Sequence, residues 1–94
     1  MHDRPPAFEA ADGQAYSAGI FVDESPDDQG RFGAALLFVQ WSETGEHPVG
    51  HLETPYVAFG DSVEQADAAA RRLSLHEVKE QLDRAVAGKE RRAW

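Results

Sequence analysis

The sequence predicts an α+β fold, in which a three-stranded antiparallel β-meander is followed by one long C-terminal helix packed on one face of the sheet. Two observations lead to this prediction. Residues 14–59 contain three segments with the apolar pattern of strands, separated by two loops that are rich in turn-forming and acidic residues. Residues 61–88 then carry an uninterrupted helical periodicity with start and stop signals at its ends.

The length and composition predict one domain over residues 1–94. We expect a lead-in at residues 1–13, the meander at 14–59, the helix at 61–88 and a tail at 89–94. Cysteine is absent, which excludes disulfides, iron–sulfur clusters and thiolate zinc sites. No apolar run approaches the roughly 18 residues of a membrane span, and the first residues lack the pattern of a signal peptide. We therefore expect a cytoplasmic protein that does not engage a membrane.

The charge is unevenly distributed along the chain. The net charge is −8, but residues 1–70 hold 13 acidic and 2 basic side chains, whereas residues 71–94 hold 4 acidic and 7 basic ones. An acidic sheet region repels phosphate groups. The composition thus argues against nucleic acid as a partner.

The first strand is predicted at residues 14–22, directly after the turn signal Asp12-Gly13. Alternation places Tyr16 on one face of this strand and Phe21 on the other. The residues before the turn show little periodicity, so we expect a frayed lead-in with Phe8 against the core.

The second strand is predicted at residues 31–41 and is apolar on both of its faces, which is typical of a central strand covered on both sides. One face holds Phe32, Ala34, Leu36 and Phe38, and the other holds Ala35, Leu37, Val39 and Trp41. A single helix covers only one side of a sheet. The second face is left as a contact surface for a partner, for the folded-back end of the helix or for the lead-in.

The third strand is predicted at residues 49–59. Pro55 lies inside it and has no N–H to donate to a neighbouring strand. This strand is therefore expected to be an edge strand, or to be broken by a bulge at Pro55.

The helical segment carries two start signals, since Ser62 with Gln65 and Ser74 with Glu77 both fit capping boxes. Gly88 fits the residue after a helix end. The apolar stripe also changes direction near Ser74: its first part holds Val63, Ala66, Ala70 and Leu73, and its second part holds Leu75, Val78, Leu82 and Val86. No Gly or Pro interrupts the segment, so we expect one helix, straight or slightly kinked near Ser74, although the second capping box favours two helices.

More apolar surface is predicted than a chain of this size can bury alone. We therefore expect a small interaction domain that associates with itself, most simply as a homodimer, or with another protein. We expect no cofactor, no catalytic residue and no enzymatic activity. The predicted interface consists of Leu37, Val39 and Trp41 on the second sheet face and of Leu75, Val78, Leu82 and Val86 on the late helix face.

The residues also suggest two alternative functions. His47 and His51 are spaced four apart beside Glu46 and Glu53, which makes them candidate metal ligands of a metal-assisted enzyme. The second alternative is an acidic decoy or inhibitor that binds a basic nucleic-acid-handling protein. Its carboxylates would have to lie on one side of the molecule, and they are Asp23, Glu24, Asp27, Asp28, Glu43 and Glu46.

Residues 56–70, YVAFGDSVEQADAAA, carry a local resemblance to a known family. They are similar to the strand-to-helix junction of HicB-like antitoxins and related small bacterial domains of three strands and a helix. The matching residues are Gly60, Asp61, Ser62, Glu64 and Ala66. The resemblance implies a binding domain and assigns no site residue. The family's Pro-Asp-x-x-Gly-Cys segment and its DNA-binding addition after the helix are not present in this sequence, so it implies neither toxin neutralisation nor operator binding.

Overall fold

The computed structural model describes residues 7–92, and the side chains of residues 8–88. It has an α+β architecture, in which two helices pack on an antiparallel sheet. The strands are β1 (Ala7–Glu9), β2 (Ala15–Val22), β3 (Phe32–Trp41), β4 (Pro48–Glu53) and β5 (Ala58–Gly60). Their order is β1-β2-β3-β4, and β5 also pairs with β3. The α+β class with an antiparallel sheet is confirmed, whereas the predicted three strands and single helix differ from the observed five strands and two helices.

Strand β3 is the centre of the sheet, as its two apolar faces predict. It pairs with β2 over most of its length, with Phe21 opposite Ala35 and Ala18 opposite Phe38. Because side chains alternate between faces, this register places Phe38 and its helix-side neighbours on one face and Ala35 and its neighbours on the other.

The third predicted strand is broken into β4 and β5, which lie end to end along the same edge of β3. The break falls at Thr54 and Pro55, as the missing N–H of proline predicts. Thr54 maintains the connection to β3, because its N–H donates to the carbonyl of Leu36 and its Oγ1 accepts the N–H of Leu36, both at 3.0 Å. The sheet therefore continues past the proline without an unpaired backbone group at Leu36.

The end of the predicted lead-in forms the short strand β1, which the sequence did not predict. It pairs with β2 with Phe8 opposite Tyr16, and Phe8 packs against the core as expected. A tight turn joins the two strands, in which the N–H of Gly13 donates to the carbonyl of Ala10 at 2.9 Å and Gly13 has φ of 79°. Residues 1–6 of the predicted lead-in lie outside the described residues.

The predicted single helix is wrong: the chain forms α1 (Val63–Arg71) and α2 (Leu75–Arg92). The predicted capping box at Ser74 is complete, whereas at Ser62 the side chain of Gln65 accepts the N–H of Asp61, at 2.9 Å, in place of the N–H of Ser62. At the start of α1, the N–H of Gln65 donates to Ser62 Oγ at 3.1 Å. At the start of α2, the N–H of Glu77 donates to Ser74 Oγ at 3.1 Å, and the N–H of Ser74 donates to Glu77 Oε1 at 3.0 Å.

The predicted helix end at Gly88 is also wrong, because α2 continues through Gly88 to Arg92. The first part of the predicted tail at 89–94 thus has a helical backbone. No helix within residues 7–92 is both long and apolar enough to cross a membrane.

The two helices cover the same face of the sheet with side chains of different size. Helix α1 buries Ala66 and Ala70 against Ala34, and these small residues let the helix lie close to β3. Helix α2 buries two larger residues, Leu82 and Val86, in the main core. The other buried members of that core are Ala10, Tyr16, Leu36, Phe38 and Leu52.

Candidate self-association surface

The face of the sheet opposite the helices carries a band of large apolar side chains. The register of β2, β3 and β5 brings them to this side, because Phe21 lies opposite Ala35 and Phe59 opposite Gly33. Phe21 is 53% exposed and Phe59 is 42% exposed. We call this surface the open sheet face, and it consists of Phe21, Leu37, Val39, Trp41 and Phe59.

Among the paired strand positions that the structure describes, ionisable side chains on this face lie only at the edges of the band, on β1 at Glu9 and on β4. On β4, His51 lies opposite Val39 and Glu53 lies opposite Leu37, and both are exposed. A shallow depression of about 460 Å³ runs between β3 and β4 at this edge. An apolar centre with a polar rim is typical of surfaces at which proteins contact each other.

One end of the open sheet face is ordered by Trp41. Its indole Nε1–H donates to Ser17 Oγ at 2.9 Å, across the pairing of β2 with β3. Ser17 is buried at 6% exposure, so this bond satisfies a hydroxyl that has little access to water. The hydrogen bond holds the indole ring against the sheet, where its apolar surface adjoins that of Val39.

The other end is ordered by Tyr56. Its ring covers Gly33, where a Cβ atom would lie 2.6 Å from the ring carbons. It also meets Phe59 edge to face, with ring centroids 5.9 Å apart and planes at 80°. The guanidinium of Arg31 lies over the Phe59 ring at 4.8 Å from the centroid. These contacts fix the positions of both aromatic rings at this end of the open sheet face.

The hydroxyl of Tyr56 ties this end to the β2–β3 loop, because it donates to Asp23 Oδ2 at 2.5 Å. That bond, together with the N–H of Ser25, stabilises the carboxylate and lowers the pKa of Asp23 below its usual value. The same bond raises the pKa of Tyr56, because its hydroxyl must keep its proton to donate.

Tyr56→Phe is expected to reduce the loss of stability in acid. A carboxyl group whose pKa is lowered by folding stabilises the protein above its unfolded pKa of about 3.9, and this contribution is lost as the pH falls through the lowered folded pKa. The free energy of unfolding, measured by urea denaturation from pH 7 to pH 2, should therefore differ between wild type and variant at neutral pH and converge in acid. In an Asp23→Asn background, Tyr56→Phe should have no pH-dependent effect; an unchanged pH dependence in both backgrounds would contradict the assignment.

The late helix face is placed differently from the prediction. Leu82 and Val86 lie in the core of the chain itself, at 0% and 2% exposure, and Val78 packs against the same core. Leu75 alone is widely exposed, at 75%. The prediction that Leu82 and Val86 form an interface is thus corrected, because the turn at Ser74 directs this stripe toward the protein's own sheet. Leu37, Val39 and Trp41 do lie together on the open sheet face.

The candidate metal ligands are not part of a larger ligand set. His47 lies in the loop before β4, and His51 lies on β4 opposite Val39. Among residues with described side chains, there is no group of three or more His, Asp or Glu side chains arranged to hold a metal ion. The acidic loops of the decoy hypothesis lie at opposite ends of the ten-residue strand β3.

The sequence did not identify the aromatic end of the open sheet face as part of the surface. The alternation that places Phe21 on the face opposite Tyr16 was a usable signal that Phe21 belongs to this surface. Alternation also places Phe59 on the same face as His51 and Glu53, because the register shifts by two residues between β4 and β5. Tyr56 lies in the break between these strands and gave no such signal. Comparisons of the chain with protein-family models, curated proteins and solved structures found no match in any of the three.

Proposed function

We propose that this chain is a protein-interaction domain that pairs with a second copy of itself through the open sheet face. The observation that supports this proposal is the uncovered band formed by Phe21, Leu37, Val39, Trp41 and Phe59. Burying apolar surface contributes roughly 25 cal/mol per Å², and both helices lie on the other side of the sheet. The proposed role is binding without catalysis. The absence of cysteine supports a reducing compartment such as the cytoplasm.

The size of the surface fits a second copy. Ten residues of β3 extend about 33 Å, and the first and last of four strands lie about 15 Å apart. The flat area of the sheet is thus roughly 500 Å², and its accessible surface is larger because side chains project from it. A stable interface takes about 800 Å² of accessible surface from each partner. Two sheets that stack face to face lie about 10 Å apart and bury side chains of the kind found here.

The charges also favour a second copy at this face. Each chain carries a net charge of −8, so two copies repel each other in most orientations. The centre of the open sheet face has no charged side chain among the described residues. The exposed carboxylates Glu9 and Glu53 lie at its two edges, where a contact can leave them in water. Because salt screens the remaining repulsion, the dimer is expected to become tighter as the salt concentration rises.

The test compares two variants that each add one negative charge. Val39→Glu places the charge in the open sheet face, and Ala68→Glu places it at an exposed position of α1 on the opposite layer. In sedimentation velocity at about 500 μM, wild type and Ala68→Glu should be dimers and Val39→Glu a folded monomer by circular dichroism. A monomeric wild type at this concentration, or equal dimerisation of both variants, would overturn the proposal.

A further inference from the structure

The connection between α1 and α2 is short and consists of residues 72–74. Arg72 retains right-handed helical angles, with φ of −82° and ψ of −7°. The N–H groups of Arg72 and Leu73 still donate to the carbonyls of Ala69 and Ala70, each at 3.2 Å, as in a tightened last helical turn. The helix is interrupted at Leu73 and Ser74, and α2 begins at Leu75 with Ser74 as its N-terminal cap. No Gly or Pro occurs between residues 63 and 87, so nothing in the covalent chain prevents a continuous helix.

The turn is maintained by local hydrogen bonds that a continuous helix would replace. In the observed form, Ser74 and Glu77 exchange two hydrogen bonds as a capping box. In a continuous helix, the N–H of Ser74 and the N–H groups after it would bond to carbonyls one turn earlier instead. The two forms therefore differ locally by a cap against a few backbone bonds of similar strength, so the hydrogen bonds of the turn alone do not strongly favour either form.

The first turn of α2 is loosely attached to the sheet. Leu75 is 75% exposed, and an open groove of about 360 Å³ separates this region from the strands. The attachment of α2 comes later, where Leu82 and Val86 enter the core beside Tyr16 and Phe38. Those contacts do not depend on which copy of the chain supplies the helix.

We propose that two copies of this chain exchange α2 by straightening residues 72–74 into a continuous helix. Each α2 then leaves its own sheet and occupies the vacated core position of its partner, where Leu82 and Val86 make the contacts that they make in the monomer. This association is separate from pairing through the open sheet face. It uses the opposite layer of the molecule and a different set of residues.

The test uses two substitutions with opposite effects on the turn. Proline at position 75 fits the first position of α2 and holds Ser74 extended, which suits a cap residue. In a continuous helix the same proline would clash with the preceding turn. Leu75→Pro should therefore block the exchange. Ser74→Ala removes the cap hydroxyl, which stabilises the turned form. Its loss should raise the equilibrium constant for straightening roughly 5-fold in each copy, and therefore the association constant of the exchanged dimer about 25-fold.

All variants are made in the Val39→Glu background, so that pairing through the open sheet face does not contribute. Each protein is refolded from urea at about 500 μM and analysed by size-exclusion chromatography with light scattering. Val39→Glu alone should remain monomeric at this concentration, whereas adding Ser74→Ala should raise the dimer association constant about 25-fold and give a detectable dimer. Adding Leu75→Pro to that protein should abolish the dimer, and adding the matched control Leu75→Ala should leave it unchanged.

Equal dimer fractions in the Ser74→Ala and Leu75→Pro proteins, or no dimer of the Ser74→Ala protein at this concentration, would overturn the exchange. Circular dichroism on each variant establishes that the helices are retained. The result is distinguishable from failure of the sheet-face proposal, because that proposal depends on the comparison of Val39→Glu with Ala68→Glu and not on residues 74 and 75.

Discussion

Replacing Leu82 with alanine is expected to lower the free energy of unfolding by about 2–5 kcal/mol, a large part of the stability of a small domain. The side chain of Leu82 is completely buried between α2 and the sheet. Its removal loses the free energy gained by transferring the side chain out of water, and it leaves a cavity. Tyr16 and Phe38 can fill this cavity only partly, because both are themselves fully buried.

The matched control for this change is Leu75→Ala in the same helix. Leu75 is 75% exposed, so the same substitution should change the stability by no more than about 0.5 kcal/mol. Urea denaturation followed by circular dichroism measures both values. Similar losses for the two variants would mean that α2 does not present Leu82 to the core in the way described.

Gly60→Ala is expected to destabilise the fold by about 3 kcal/mol, at the upper end of the range for added bulk in a packed interior. Gly60 ends β5 opposite Phe32, and the first turn of α1 lies directly against it. A Cβ atom at Gly60 would overlap the backbone nitrogen of Ala66 and would lie 2.7 Å from the carbonyl carbon of Gln65. Because these are backbone atoms, α1 must move away from the sheet to make room.

The same substitution at Gly88 should have the opposite sign. Gly88 lies within α2, and among the described residues a Cβ atom there would meet nothing within 4 Å beyond the neighbouring backbone of the same helix. Alanine at a helix interior position stabilises the helix by roughly 0.5–1 kcal/mol relative to glycine. Thermal unfolding of both variants should show a lower midpoint for Gly60→Ala and a higher one for Gly88→Ala. A stable Gly60→Ala protein would show that α1 does not approach β5 this closely.

The strands were predictable because their signal is local. Alternation and turn residues placed β2 at residues 14–22 and β3 at 31–41, within one residue of Ala15–Val22 and Phe32–Trp41. The same alternation assigned Leu37, Val39 and Trp41 to a face away from the helix. Strand β1 gave no local signal, since three residues are too few for a pattern and their pairing depends on the turn that follows.

The break between the helices was harder to predict, because two local preferences compete at Ser74. Helix propensity favours continuation through Arg72 and Leu73, whereas the capping box favours a new start. The core decides between them by accepting Leu82 and Val86 only if the chain turns. The late part of the predicted interface failed for this reason, while the resemblance to HicB-like domains, the absence of catalysis and the cytoplasmic location stay predictions.

The break at Pro55 has a consequence for how this protein can aggregate. A long, regular border strand is a template on which further chains polymerise by backbone pairing, as in amyloid. Here one border of the sheet is divided at Thr54 and Pro55, and the other is divided between the three-residue strand β1 and the five residues of β2, 18–22, with which β1 does not pair. Each border therefore offers only short runs of backbone to a further chain, which disfavours growth of the sheet by lateral addition.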